Sequence, residues 1–168
     1  LDYIKGRIDQ LTPTYVVVEN AGLGYLMHIS LGTFSKLGSH TETKLFVHEM
    51  IREDAHELFG FSDASERELF RLLISVSGVG ANTARMMLSS LSAGEISTAI
   101  VQGDVNLLKS IKGIGIKTAQ RIIIDLKDKL GKQSVSPELF LQADNTARDE
   151  ALSALVMLGF AKNHTEKT

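Results

Sequence analysis

An internal repeat constrains the fold of this chain more than any other feature. Residues 72–84 and residues 107–119 align without gaps, and seven of their 13 positions are identical while two more exchange Val for Ile. A repeat of this kind predicts two copies of one structural unit. Each copy has the pattern of a helix, a Gly-apolar-Gly turn and a second helix. Because free backbone N–H groups at a helix N-terminus attract anions, the repeat predicts two neighbouring phosphate sites.

The residue types inside each turn fit contact with a phosphodiester backbone. Glycine accepts positive φ and lets a phosphate oxygen approach the main chain. The apolar residue between the glycines is expected in the core, and the threonine after them in the first helical turn. The alternative is that each turn merely joins two packed helices. The predicted DNA-binding residues are Gly78, Val79, Gly80, Asn82 and Thr83 in the first copy, and Lys112, Gly113, Ile114, Gly115, Lys117, Thr118 and Arg121 in the second.

Charge is distributed unevenly along the chain. The whole sequence of 168 residues has a net charge of −2, but residues 64–131 carry nine Lys/Arg against six Asp/Glu, a net charge of +3. Residues 1–63 carry five against nine, a net charge of −4. The positive segment therefore coincides with the repeat. A small excess is enough for a nucleic-acid site in which backbone amides share the phosphate contacts.

Several classes of function lack support in the sequence. There is no cysteine, which excludes disulfides and cysteine-ligated zinc and favours a reducing, cytoplasmic location. No apolar run has the length of a membrane helix, and the five histidines lack metal-ligand spacing. Residues 113–118 lack the Gly-Lys-Thr junction of a P-loop. We therefore expect no catalytic site, metal or cofactor, and no membrane partner.

The periodicity of the chain predicts a β part followed by an α part. Residues 1–62 contain five short β-type segments with Gly-rich turns, typical of a small OB-like barrel. Residues 63–131 have the pattern of five helices, a tandem helix-hairpin-helix domain. Asp63 with Glu66 predicts a capping box at its start, and Gly131 predicts a C′ position at its end.

The C-terminal fifth of the chain has a different composition. Residues 132–144 have the composition of a flexible linker, with Pro137 blocking an early helix start. Residues 145–160 predict one amphipathic helix that ends in Gly159, and the eight residues after Phe160 are too few to complete an independent core. We therefore expect a partial helical unit at this end.

The order of these parts resembles the RuvA family, the Holliday-junction-binding subunits of the bacterial branch-migration complex. Residues 51–61, Ile-Arg-Glu-Asp-Ala-His-Glu-Leu-Phe-Gly-Phe, resemble the acidic-pin stretch of that family. Residues 154–160, Ala-Leu-Val-Met-Leu-Gly-Phe, resemble the end of its motor-binding, UBA-like unit. The resemblance implies a homotetramer that binds four-way junction DNA in recombination, repair and the SOS response. It also implies two protein partners, the hexameric ATPase RuvB and the junction resolvase RuvC.

The resemblance also implies roles for individual residues. The acidic pin maps onto Glu53 and Asp54, with Arg52 beside them, although two carboxylates on a loop also suit an ordinary solvated turn. Relatives often carry Lys where this chain has Asn82 and Ile116, which weakens the first hairpin and leaves more of the binding to the second. The motor contact maps onto Leu155, Leu158 and Phe160, although leucines at this spacing also suit inward packing.

Three other functions use the same building blocks. A repair glycosylase with this hairpin needs a catalytic Asp after it; Asp125 is in range, but its Lys/Asp-rich surroundings favour surface ion pairs. A single-strand binder needs exposed aromatic residues on the barrel. A general DNA-binding module without junction specificity needs only the hairpins.

Overall fold

The computed structural model describes residues 1–133, with side chains as far as Gly131, so the predictions for the C-terminal linker and helical unit lie outside the described residues. The N-terminal part contains five strands and one short helix. These elements are β1 (Tyr3–Leu11), β2 (Tyr15–Asn20), β3 (Leu23–His28), α1 (Leu31–Leu37), β4 (Glu42–Ile51) and β5 (His56–Phe61).

The five strands form a closed barrel in the order β1-β2-β3-β5-β4, with β4 pairing back onto β1. All neighbours are antiparallel except β3 and β5, which are parallel and meet at His28 and Phe59. In β2 and in the middle of β4, alternate residues point inward and are buried, as period-2 side-chain geometry requires. Val16, Val18, Leu45 and Val47 are fully buried inside the barrel. The predicted barrel is therefore confirmed.

Helix α1 was not expected from the sequence. The Ser30 hydroxyl caps it by accepting the amide of Thr33 at 3.0 Å, and the helix ends at Gly38, whose φ is +47°. Thr33 and Leu37 are its buried residues. A seven-residue helix is not stable alone, so packing against the rest of the protein maintains it.

Five helices follow the barrel, as predicted. They are α2 (Ala64–Ile74), α3 (Ala81–Ser90), α4 (Ala93–Gln102), α5 (Val105–Ser110) and α6 (Ile116–Gln133). Ser92 and Glu95 form a complete capping box at α4, and Asp104 caps α5 by accepting the amide of Leu107 at 2.9 Å. Within residues 1–133, no helix is both long enough and apolar enough to cross a membrane.

Two predicted helix ends are wrong in part. Asp63 caps α2 by accepting the amide of Glu66 at 2.8 Å, but the Glu66 carboxylate does not return to Asp63. Instead it is buried and accepts the hydroxyls of Ser30 and Thr33, which joins α2 to α1. Gly131 is not a C′ residue, because α6 continues to Gln133. A glycine inside a helix costs only about 1 kcal/mol, and this helix tolerates it.

The barrel and the helices share one compact unit, Leu1–Gly131. Three phenylalanines pack at the junction, with the ring of Phe70 on α2 at 5.1 Å from Phe59 and 4.9 Å from Phe61. Arg67 on α2 pairs with Asp2 at 2.6 Å. The helices that carry the repeat are thereby fixed on the barrel.

Candidate nucleic-acid interface

The two copies of the repeat have the same backbone structure. The hydroxyls of Ser75 and Ser110 each donate to the carbonyl three residues earlier at 2.6 Å. The amides of Val79 and Ile114 each donate to the carbonyl three residues earlier at 3.0 Å. In both copies, the amide of the final alanine donates to the carbonyl of the second glycine at 2.9 Å. Two copies of one unit, as the repeat predicted, are therefore present.

The first glycine of each turn has a left-handed conformation. Gly78 has φ +91° and Gly113 has φ +92°. An L-residue strongly disfavours this region because of its Cβ, whereas glycine adopts it without penalty. The turn from one helix to the next therefore requires glycine at these positions.

The second glycine of each turn has no such conformational reason. Gly80 has φ −84°, which any residue adopts, and a Cβ on Gly80 or Gly115 would meet no protein atom within 4 Å. Gly80 provides no side-chain cap to α3, so the first amides of that helix have no intrahelical acceptor and no capping side chain. These two positions are open surface beside a helix N-terminus, where an anion can approach the main chain.

The apolar residues of the turns are anchored in the core as predicted. Val79 and Ile114 are each 5% exposed, and Ala84 and Ala119 are fully buried. The small alanines allow the flanking helices to pack closely. The glycine-rich edge is therefore held rigidly at the surface while its apolar residue points inward.

Polar and charged side chains surround the two turns. Asn82, Lys112 and Lys117 are exposed, and Thr83 and Thr118 are partly exposed at the third position of their helices. Among the ion pairs of the described residues, none includes either lysine. Their charge is therefore available to a ligand.

One side chain connects the two turns. Arg121, on α6 in the second copy, donates from Nη1 to the backbone carbonyl of Ser77 at 3.2 Å. Ser77 immediately precedes Gly78, in the first copy. The sequence placed Arg121 beside the second turn, and the structure also brings it to the first. Sequence reasoning missed Ser77, since a carbonyl acceptor has no side-chain signature.

The predicted acidic pin is a tight turn between β4 and β5. The amide of Arg52 donates to the carbonyl of Ala55 at 2.8 Å, and Glu53 and Asp54 lie exposed at the tip. The Arg52 side chain lies 3.2 Å from the sulfur of Met50 and is paired with neither carboxylate. Within residues 1–131, no hydrogen bond or ion pair joins this turn to the hairpins, so the two predicted sites are separate features of one unit.

The described residues offer little to a glycosylase or a single-strand binder. Asp125 is exposed on α6 and takes part in no ion pair of the described residues, so its predicted surface pairs are not formed. Phe59 and Phe61 are buried, while Tyr3 is 51% exposed with Lys44 4.1 Å above its ring. No cluster of three metal-ligating side chains occurs within the part of the chain that the structure describes.

Comparison with known proteins identifies relatives along nearly the whole chain. Residues 1–60 match the family described as the RuvA N terminal domain, and residues 70–128 match the SAM-like helix-hairpin-helix tandem. A protein of Christiangramia forsetii is 50% identical over 99% of this chain and 86% of its own length. A protein of Flavobacterium psychrophilum is 50% identical over 98% of this chain and 86% of its own length.

A third relative, from Bacteroides fragilis, is 48% identical over 99% of this chain and 87% of its own length. All three carry the name Holliday junction branch migration complex subunit RuvA. The alignments with all three span the barrel and both hairpins. The chain belongs to the RuvA family.

Proposed function

We propose that this protein binds four-way DNA junctions and serves as the non-catalytic, DNA-binding subunit of a branch-migration complex in recombination and repair. The observation that carries the proposal is the matched pair of hairpins, each with an open glycine beside a helix N-terminus. The family membership supports the same function, since relatives of about 50% identity are named as branch-migration subunits.

The hairpins suit the backbone of DNA better than its bases. Main-chain amides at Gly80 and Gly115 and the cations Lys112 and Lys117 recognise phosphate, which is the same at every base pair. Thr83 and Thr118 add hydroxyl donors in the first helical turns. Binding is therefore independent of sequence and sensitive to salt, with a slope of about −0.9 in log K against log salt for each phosphate contact.

The acidic turn supplies preference for a junction. In a homotetramer with fourfold symmetry, Glu53 and Asp54 of the four protomers meet at the centre and bring eight carboxylates together. Phosphates are repelled from that centre, so strands separate there while the arms lie on the surrounding hairpins. A continuous duplex across the centre is disfavoured by the same repulsion.

Two protein partners complete the proposal. A hexameric ATPase of the RuvB type supplies the energy of ATP hydrolysis, and a resolvase of the RuvC type cuts the junction. Leu155, Leu158 and Phe160 are proposed to contact the motor; they lie outside the described residues. All of the proposed DNA contacts, in contrast, lie within the described residues 1–133.

Binding of a four-way junction, a linear duplex and a single strand of equal length tests the proposal. Gel-shift titrations at two salt concentrations should show a junction preference that persists in excess competitor duplex. Neutralising the turn with E53Q and D54N should reduce the ratio of junction to duplex affinity while leaving duplex affinity unchanged or increased. The matched control is D9N with E42Q, which removes two exposed carboxylates elsewhere on the barrel.

Each competing function gives a different result, two of them in the same titrations and the third in an assay on damaged duplex. Equal affinity for junction and duplex would reduce the protein to a general DNA-binding module and contradict the junction-specific role. A preference for single strand would assign binding to the barrel. Release of free base from damaged duplex would identify a glycosylase.

A further inference from the structure

The hydrogen bond from Arg121 to Ser77 links a side chain of the second hairpin to the turn of the first. We propose that Arg121, although it lies on α6 of the second hairpin, is the phosphate-binding cation of the first hairpin and couples the two turns into one binding unit. The inference rests on the proposed function, because it assumes that the hairpins bind phosphates. Its structural basis is the 3.2 Å hydrogen bond from the Arg121 guanidinium to the carbonyl that precedes Gly78.

The repeat shows that this link has no counterpart in the other direction. The 35-residue offset places Met86 of the first copy at the position of Arg121 in the second. Met86 is 39% exposed and has no hydrogen-bond donor. The same offset pairs Ser77 with Lys112 and Asn82 with Lys117. The first hairpin thus has no cation at any of these positions, and the second has one at all three.

The chemistry of the guanidinium suits a shared role. Arginine has five N–H donors in a planar fork and no acceptor. One Nη1 donor is used on the Ser77 carbonyl, and the remaining donors stay available because Arg121 belongs to no ion pair of the described residues. The carbonyl bond holds a flexible side chain next to the Gly78 turn. From there the remaining donors form charge-assisted hydrogen bonds with a phosphate.

The first hairpin also needs a cation more than the second does. Its turn offers amides at the start of α3 and the neutral side chains of Asn82 and Thr83. A helix N-terminus alone contributes a partial charge of about one half. The guanidinium, bound to the Ser77 carbonyl three residues before Gly80, adds a full positive charge to this turn, so a phosphate at Gly80 and the charge of Arg121 are expected to depend on each other.

A double-mutant cycle on the full chain measures that dependence. R121M converts Arg121 to its repeat counterpart, while G80A and G115A place a Cβ in the path of a phosphate at the first or the second hairpin. Neither glycine has a left-handed φ or a protein atom near the new Cβ, so both variants should fold. Affinity for a linear duplex is measured by fluorescence anisotropy at two salt concentrations, with thermal unfolding as the folding control.

The expected result is coupling to the first hairpin only. R121M should weaken duplex binding roughly eightfold at 0.1 M salt and reduce the salt slope by about 0.9, as expected for one lost phosphate contact. In the G80A background, R121M should weaken binding by no more than about twofold. In the G115A background it should retain its full effect, because independent sites are additive within roughly twofold.

Other outcomes overturn the inference. Full additivity with G80A, or coupling to G115A as large as that to G80A, would make Arg121 an ordinary cation of the second hairpin. R121K separates charge from geometry: it keeps the charge but cannot hold the carbonyl and a phosphate with one rigid fork, so it should restore only part of the affinity. Full rescue by R121K would contradict the bridging role.

The choice of linear duplex separates this inference from the proposed function. A protein that binds junction and duplex equally would contradict junction specificity, yet the coupling between Arg121 and Gly80 would still be measurable. If the unaltered protein strongly prefers junctions but R121M and G80A affect duplex affinity independently, only the bridging role is contradicted. If the unaltered protein binds the junction but not the linear duplex, the same cycle is measured on the junction; failure to bind either DNA would overturn both.

Discussion

The first hairpin is held to the barrel by polar side chains, whereas the second carries the exposed lysines. Glu66 and Arg67 on α2 contact Thr33 and Asp2 of the N-terminal part at 2.8 and 2.6 Å. Arg85 on α3 donates to backbone carbonyls of the barrel segment at 3.3 and 3.4 Å. Within residues 1–131, the polar side chains that join the helices after the barrel to the barrel belong to α2 and α3.

This difference shows how a duplicated unit divides its tasks. Positions that the copies share, such as the glycines, fix the same turn in both. Positions that the copies do not share give each copy its own contacts. Arg85 anchors the first hairpin to the barrel, whereas Gln120, at the equivalent position of the second copy, is exposed. One copy therefore sets the position of the unit, and the other supplies most of its charge.

The largest effects are expected in the core of the turns. I114A should lower the free energy of unfolding by about 2–5 kcal/mol, because it removes a buried side chain and leaves a cavity. V79A removes one methylene fewer, which makes its cost smaller by about 0.8 kcal/mol plus any difference in cavity size. Urea unfolding followed by circular dichroism measures both. A much larger cost for V79A would contradict the equivalent packing of the two turns.

Replacing the left-handed glycines tests whether the turns are equivalent in conformation. G78A and G113A should each lower the free energy of unfolding by about 1–3 kcal/mol, because the new side chain is strained at φ near +90°. G80A, at an ordinary φ, is the control and should change stability by less than about 0.5 kcal/mol. If G78A and G113A lower the free energy of unfolding by amounts that differ by more than experimental error, the two turns are not equivalent in conformation.

Exchanging the unlike residues of the two copies tests the difference in charge. K117N should weaken duplex binding roughly eightfold at 0.1 M salt and reduce the salt slope by about 0.9, if the lysine contacts one phosphate. N82K should produce the opposite change by giving the first hairpin a cation. Anisotropy titrations over a salt series measure both slopes. An unchanged slope for K117N would show that this lysine does not contact phosphate.

The smallest expected effect concerns the anchoring of the first hairpin at low pH. Burial raises the pKa of Asp63, but hydrogen bonds from Lys36, Ser65 and the Glu66 amide outweigh it and lower the pKa to about 2. Because the folded-state value lies below the unfolded one, this contribution to stability is complete above about pH 4 and is lost as the pH falls towards 2.

The variant D63N should therefore reduce stability at pH 7 and flatten its decline between pH 4 and pH 2. Unfolding midpoints across that range provide the measurement. S65A is a milder control, since it removes one of the hydrogen bonds and retains the carboxylate. A decline as steep in D63N as in the unaltered protein would show that other carboxylates cause the acid sensitivity.

Local chemistry explains which parts of the fold the sequence predicted. The strands follow from alternation and the caps from side chains within three residues, as at Ser92 and Asp104. The hairpin turns follow from a glycine pattern whose hydrogen bonds close within four residues. The prediction at Gly131 failed because α6 absorbs the modest cost of an internal glycine.

The features that the sequence did not predict depend on partners distant in the chain. Helix α1 is seven residues long and persists through packing, so its local pattern carries little information. Glu66 had a plausible local partner in Asp63 but bonds to Ser30, 36 residues away. Arg121 reaches Ser77 across 44 residues.

The sequence by itself thus determined the order of a β part and an α part, the repeated turn and the residue types around it. Only the tertiary structure decided that one hairpin is anchored to the barrel and that Arg121 of the other extends towards it. The reason is physical: backbone conformation and capping are set by near neighbours along the chain. The partner of a long polar side chain is set by which surfaces meet when the core forms.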